Sequence, residues 1–124
     1  MEDPVLESKN IIDRFRLDGR TALVTGGGQG IGRAFAHGLA EAGARVAVVD
    51  ISMEHAAAVE KELSDKGCEA MAIVTDVTDQ GQVKAMVKKI VDTWGSITIG
   101  VNNAGMGIWS DAATMEKSEW DRLM

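Results

Sequence analysis

The 124-residue sequence has no tyrosine, one cysteine, one proline and two histidines. Each scarcity closes off some chemistry. Without tyrosine there is no phenol to donate a proton. Cys68, beside the turn at Gly67, has no internal partner and so forms no intrachain disulfide; it reads as an inert thiol. His37 and His55 lack companions at metal-ligand spacing, so no metal site is expected. A net charge of −6 with no basic cluster argues against nucleic acid or an anionic membrane as partner. No apolar run approaches a membrane span, and the acidic start MEDPVLESKN lacks the basic and apolar segments of a secretory signal, so a cytoplasmic protein is expected.

What is present is the apolar content of one globular domain, 45%. Residues 1–18 carry Pro4 and mixed charges without a sustained period, and are expected to form an arm with a short helical turn at Ile11 to Phe15. From residue 19 onward a second unit begins, with β-rich runs at 20–25, 45–50, 70–75 and 97–101 separated by helical segments. The first helix aligns Ile31, Ala34, Phe35, Gly38, Leu39 and Ala42 in an apolar stripe ending at Gly43. The second starts at Ser52 as N-cap, turns Ala56, Val59 and Leu63 inward, and ends at Gly67 in the left-handed position. The third starts at Thr78 with Asp79 in its first turn and is expected to bury Val83, Met86, Val87, Ile90, Val91 and Trp94 before Gly95. The runs Ala22 to Val24, Val46 to Val49 and Ile97 to Val101 are continuously apolar, as in strands buried on both faces. A doubly wound α/β fold follows. Beyond Gly105 a polar loop leads to a helix from near Ser118, with Trp120, Leu123 and Met124 on one face.

The segment TGGGQGIG at 25–32 joins a buried strand to a helix. A phosphate needs close backbone N–H donors at such a helix N-terminus, and side chains obstruct the approach, which points to Gly26, Gly28, Gly30 and Gly32. Arg33-Ala34 after the last glycine excludes a nucleoside-triphosphate loop, and the G-x-G-x-x-G spacing is not met; T-G-x-x-x-G-x-G is. Asp50, at the end of the second strand, can accept hydrogen bonds from an adenosine ribose and repel a 2′-phosphate, favouring NAD over NADP. Gln29 offers no positive charge to offset that repulsion, although Arg33 stands nearby. Asp76, with Val77 after it, either reads an adenine amino group or serves as a first-turn carboxylate. Asn102-Asn103-Ala104-Gly105 either braces adjacent loops or is only a turn.

In this order, TGGGQGIG, Asp50, Asp76-Val77 and NNAG closely resemble the N-terminal half of the short-chain dehydrogenase/reductase family, over roughly Phe15 to Met124 and including FRLDGRTALVTGG. The resemblance implies a Rossmann-type doubly wound parallel sheet, truncated to its first half of about four strands, over residues 19–124. It implies NAD as cofactor, NADP being less favoured. The glycines would meet the pyrophosphate, Asp50 the adenosine ribose, Asp76 and Val77 the adenine, and Asn103, Ala104 and Gly105 the nicotinamide-side ribose, with Gln29, Ile31 and Ile51 also among the expected cofactor contacts. Family members act on small-molecule alcohols or ketones through Ser, Tyr-x-x-x-Lys and Asn, and full-length relatives are expected to be homo-oligomers. None of those catalytic residues is placed here, so none is assigned, turnover by this chain is expected to be negligible, and one sheet edge is expected to be uncovered. The stretch VNNAGMGIW and the arm look somewhat like sugar-alcohol dehydrogenases, while 3-oxoacyl and steroid reductases share the motifs. Two further readings are a non-catalytic NAD-binding module or subunit and half of an S-adenosylmethionine methyltransferase. The latter usually has an acid where Thr25 stands and has no place for NNAG.

Overall fold

The computed structural model describes residues 3–7, 10–107 and 109–124; Met1, Glu2, Ser8 and Lys9 of the expected arm, and Ile108 of the VNNAGMGIW stretch, lie outside the described residues. A single turn α1 (Pro4–Glu7) and a 3-10 helix at Ile11–Phe15 precede the sheet. Then β1 (Thr21–Thr25), α2 (Gly30–Glu41), β2 (Arg45–Asp50), α3 (Met53–Asp65), β3 (Ala70–Val74), α4 (Gln80–Trp94), β4 (Ile99–Val101) and α5 (Lys117–Leu123) follow in order. The four strands are parallel in the order β3-β2-β1-β4, with Ala22 opposite both Val46 and Ile99. The strand order reverses at β1, so the connections leaving the carboxyl ends of β1 and β4 part and leave a crevice there.

Side-chain alternation along the central strands builds two apolar layers. Ala22, Val24, Val46 and Val48 pack beneath Ala36 and Ala40 of α2 and Ala56, Val59 and Leu63 of α3. On the other face Leu23, Ala47, Val49 and Ile73 meet Met86 and Ile90 of α4. The sheet is therefore covered on both faces, which accounts for the continuous apolar runs in β1 and β2. Ser52 accepts a hydrogen bond from the His55 N–H at 3.3 Å, and Gly67 takes φ 81°, as expected of the ends of α3. Cys68 is half-buried against the α2–α3 layer.

Four expectations need correction. Ile31, Ala34, Phe35 and Gly38 are exposed, and α2 instead turns Gly32, Ala36 and Ala40 to the sheet, with Leu39 partly packed. The small face wins because it lets the helix axis approach β1 closely. In α4, Val87 and Val91 are exposed because they lie a step around the helix from Met86 and Ile90, which reach the central strands, while Val83 and Trp94 share the inner face and are half-buried against that layer. That helix begins two residues later than expected, at Gln80, since Asp79 caps it by accepting the Gln82 N–H at 3.1 Å. Finally β4 is short and only half-buried, with Gly100 exposed, because it forms an edge of the sheet.

Candidate dinucleotide site

At the end of β1 the chain turns through Gly26 (φ 63°) and Gly30 (φ 56°) into α2. Both values are left-handed, where glycine is the favoured residue. Unlike Ser52 and Asp79, the N-cap residue Gln29 makes no side-chain cap hydrogen bond. Among the described residues the N–H groups of Gly30, Ile31 and Gly32 find no acceptor, so the positive end of a 12-residue helix is left open to an anion.

The approach to that helix end is kept clear by close packing behind it. A Cβ on Gly32 would lie 2.0 Å from the Gly26 carbonyl oxygen, and one on Gly28 would lie 2.6 Å from His55 Cβ. The Gly28 N–H donates to Asp50 Oδ2 at 3.0 Å, and Ser52 N–H donates to Oδ1 at 3.0 Å. Asp50 is thus buried and held by two backbone donors at the end of β2.

Across the crevice, the Thr25 hydroxyl accepts N–H bonds from Asn103 and Ala104, each at 3.0 Å, and donates to the Val101 carbonyl at 3.3 Å. Asn103 Nδ2 donates to the Thr25 carbonyl at 3.2 Å and the Gly26 carbonyl at 3.4 Å. The β1 and β4 ends are therefore stitched together. Bracing falls to Asn103; Asn102 makes no side-chain hydrogen bond among the described residues. Thr25, read from sequence only as the first position of the motif, is a principal brace, a role set by its partners across the sheet.

Asp76 Oδ1 accepts both the hydroxyl and the N–H of Thr78, at 2.6 and 2.9 Å. These two bonds, the hydroxyl's first, hold its carboxyl below the ordinary carboxylate range. Asp76 is thus tied to the turn before α4, while the cap itself is Asp79.

These elements enclose a cleft of about 820 Å³. Of the expected contacts, Gly26, Gln29, Gly30, Ile31 and Gly32 line it from the glycine turn, and Asp50 and Ile51 from the end of β2. Asp76 and Val77 line it just after β3, and Asn103, Ala104 and Gly105 just after β4, beside the glycine turn. Gly28 does not line it but lies behind, bonded to Asp50. Sequence reasoning missed Val49, Thr75, Thr78, Met106 and the residues 121–124, which also line it. A smaller cavity of about 590 Å³ lies away from this cleft, lined in part by Arg16 and Lys66, whose charges are already paired with Asp18 and Glu41. Among the described residues no group of three or more His, Cys, Asp or Glu is placed to hold a metal, and no helix is long and apolar enough to cross a membrane.

Arg33 points its charge elsewhere. Its guanidinium pairs with Glu62 through Nε at 2.9 Å and a terminal nitrogen at 3.0 Å. Glu62 also meets His37 Nε2 at 2.7 Å, and Lys66 meets His37 Nδ1 at 2.8 Å. Arg33 first, then His37, lowers the Glu62 carboxyl from 4.5 to about 2. A depressed folded-state value contributes stability above the ordinary pKa, lost as pH falls through the folded one. Acid unfolding of the parent is thus expected to carry a Glu62 contribution between pH 4.5 and about 2. Glu62→Gln should remove it, and an unchanged pH profile of the urea midpoint over this window would contradict the pairing.

The short chain dehydrogenase family model matches residues 20–124. The chain belongs to the short-chain dehydrogenase family. It is 45% identical over 108 residues to a sorbitol dehydrogenase of Cereibacter sphaeroides, covering 87% of this chain and 41% of that protein. A 3-oxoacyl-acyl-carrier-protein reductase of Staphylococcus aureus is 45% identical over 106 residues, covering 85% of this chain and 43% of the relative. Among solved structures, a gluconate 5-dehydrogenase of Burkholderia cenocepacia, in complex with NADP and tartrate, superposes with TM-score 0.84 at 43% identity, covering 93% of this chain and 45% of that one. This short-chain dehydrogenase chain thus spans less than half the length of these relatives. The fold is that family's Rossmann-type NAD(P)-binding architecture, seen in its first four strands. Membership also sets aside the methyltransferase reading.

Proposed function

We propose that this chain forms the NAD-binding part of a cytoplasmic oxidoreductase that transfers hydride to or from an alcohol or ketone. The observation that carries the reading is the uncapped N-terminus of α2, set beside the buried carboxylate of Asp50. The residues fit a dinucleotide: bare helix amides face the cleft, the close-packed glycines leave their approach clear, and a fixed acid stands at the neighbouring strand end. The bound nicotinamide supplies the hydride acceptor or donor. The chain's own residues bind and orient it, with the α2 amides on phosphate, Asp50 on ribose hydroxyls and the Asn103 loop bracing the wall.

Preference for NAD over NADP rests on charge. Asp50 would repel a 2′-phosphate, and Arg33, the nearest candidate to offset it, is bound to Glu62. Calorimetric titration is expected to give NAD at least about tenfold tighter binding than NADP, and Asp50→Ser should lose most of that difference. Equal or tighter NADP binding by the parent would overturn the preference; no binding of either would overturn the site.

For substrate we favour a polyol, supported by similarity to the sorbitol and gluconate dehydrogenases. The whole protein is expected to self-associate. A second reading, an NAD-binding module without turnover, is favoured by the lack of tyrosine in the 124 residues. NADH formation with NAD and sorbitol separates the two, since the module reading forbids it.

A further inference from the structure

We infer that Glu62 on α3 is a specificity-determining residue acting from outside the cleft: it holds the Arg33 guanidinium away from the adenosine ribose, so that the charge of Asp50 acts there unopposed. The inference rests on the NAD-preferring reading proposed above. Arg33 belongs to the first turn of α2, and its N–H donates to the Gln29 carbonyl at 3.1 Å. Residues four apart share one helix face, and helical side chains lean toward the N-terminus. An unconstrained Arg33 side chain would therefore run up past Gln29, which lines the cleft. Arg33 itself does not line it. Its guanidinium crosses to α3 instead and sets two nitrogens against the two oxygens of Glu62, at 2.9 and 3.0 Å.

Glu62 is the anchored member of this pair and Arg33 the movable one. The Glu62 side chain, 34% exposed, also meets His37 Nε2 at 2.7 Å. His37 is held in turn through Nδ1 by Lys66 at 2.8 Å, and Lys66 by Glu41 at 2.6 Å. This relay fixes Glu62 between the two helices without help from Arg33. The Arg33 side chain is 53% exposed and has no other partner among the described residues. Removing the Glu62 carboxylate thus leaves a long cation free, one turn below Gln29 on the same face. The ligand group that would distinguish this state is a 2′-phosphate, which NADP carries where NAD has a hydroxyl. A freed guanidinium offsets part of the Asp50 repulsion for NADP. Any pull it exerts on the pyrophosphate is common to both dinucleotides and cancels in the ratio of their affinities.

The test is calorimetric titration of the full chain with NAD and with NADP, for the parent, Glu62→Ala, Arg33→Ala and the double variant. Glu62→Ala should raise the NADP-to-NAD affinity ratio about fivefold, the scale of one solvated charge contact. Arg33→Ala and the double variant should keep the parental ratio, which also separates Arg33 from Arg122, the cation that lines the cleft from α5. A Glu62 that only stabilises the fold would lower both affinities together and leave the ratio unmoved. A Glu62→Ala ratio within twofold of the parent, or a gain that persists without Arg33, would overturn the inference. Should Glu62→Ala not fold, Glu62→Gln takes its place with an expected gain of about threefold and the same overturning outcomes. Failure of both to fold would also overturn the inference, since the carboxylate would then serve the fold. A parent that binds neither ligand, or binds NADP as tightly as NAD, would instead defeat the reading on which the inference rests, and the inference with it.

Discussion

Gly32→Ala is expected to abolish measurable dinucleotide binding while leaving a folded, less stable protein. The added Cβ would lie 2.0 Å from the Gly26 carbonyl oxygen and 2.6 Å from Asn103 Nδ2. Neither neighbour is the free end of a flexible side chain. Gly26 is fixed by its own left-handed turn, and Asn103 is held by bonds to both the Thr25 and Gly26 carbonyls. Relief must come from moving the first turn of α2 away from the glycine turn, which displaces the amides that face the cleft. Overpacking of this kind costs about 1–3 kcal/mol of stability. NAD affinity should fall at least about a hundredfold, the equivalent of about 2.7 kcal/mol. Gly38 on the same helix is the control, since a Cβ there meets nothing within 4 Å. Gly38→Ala should stabilise by about 0.5–1 kcal/mol and bind NAD as the parent does. Urea midpoints and calorimetry on the two variants decide it. Gly32→Ala binding NAD within threefold of the parent would show that the tight contact does not position the amides.

Most of what makes Gly32 decisive was legible in the sequence, and the rest was not for a definite reason. Residue spacing reports where apolar side chains recur, so α3 could be placed from Ser52 through Leu63 to Gly67, and the parallel sheet from its continuous apolar runs. It weights large side chains above small ones. In α2 this favoured Ile31 and Phe35, but the face that touches β1 is Gly32, Ala36 and Ala40, chosen for closeness of approach. The same weighting placed Val87 and Val91 inside, though only Met86 and Ile90 of α4 are fully buried. The half-burial of β4 reflects sheet order, which no local pattern encodes. The motif residues of the cleft were legible because each sits at a strand end where a turn signal marks it. Thr25 and Thr75 were not read for their hydroxyls, because a threonine in a strand suits the β conformation whatever its oxygen does. Only the three-dimensional surroundings separate Thr25, whose hydroxyl makes three bonds, from Thr75, whose buried hydroxyl finds no partner among the described residues.

Thr25→Val should therefore destabilise the protein although it preserves shape. The substitution removes one hydroxyl that serves three backbone groups across the β1–β4 crevice. The consequences are unequal. The Asn103 N–H keeps a second acceptor, the Val101 carbonyl at 3.1 Å, whereas among the described residues the Ala104 N–H has only the Thr25 oxygen at 3.0 Å. Ala104 is exposed, so water can take up its amide and the lost bond costs about 0.5–1.5 kcal/mol, while a domain of this size loses roughly 4–8 °C of Tm per kcal/mol. The expected fall in Tm is thus about 5 °C, with Thr25→Ser recovering most of it. Hydrogen exchange supplies the residue-level reading. Ala104 should lose protection well beyond the global change, Asn103 less, because the Asn103 side chain still holds the Thr25 and Gly26 carbonyls. NAD affinity should weaken along with the loosened Asn103 to Gly105 wall, while the α2 amides, fixed by Gly32 against Gly26, stay in place. A valine variant with parental Tm and undiminished Ala104 protection would show that the crevice is held by the Asn103 amide alone.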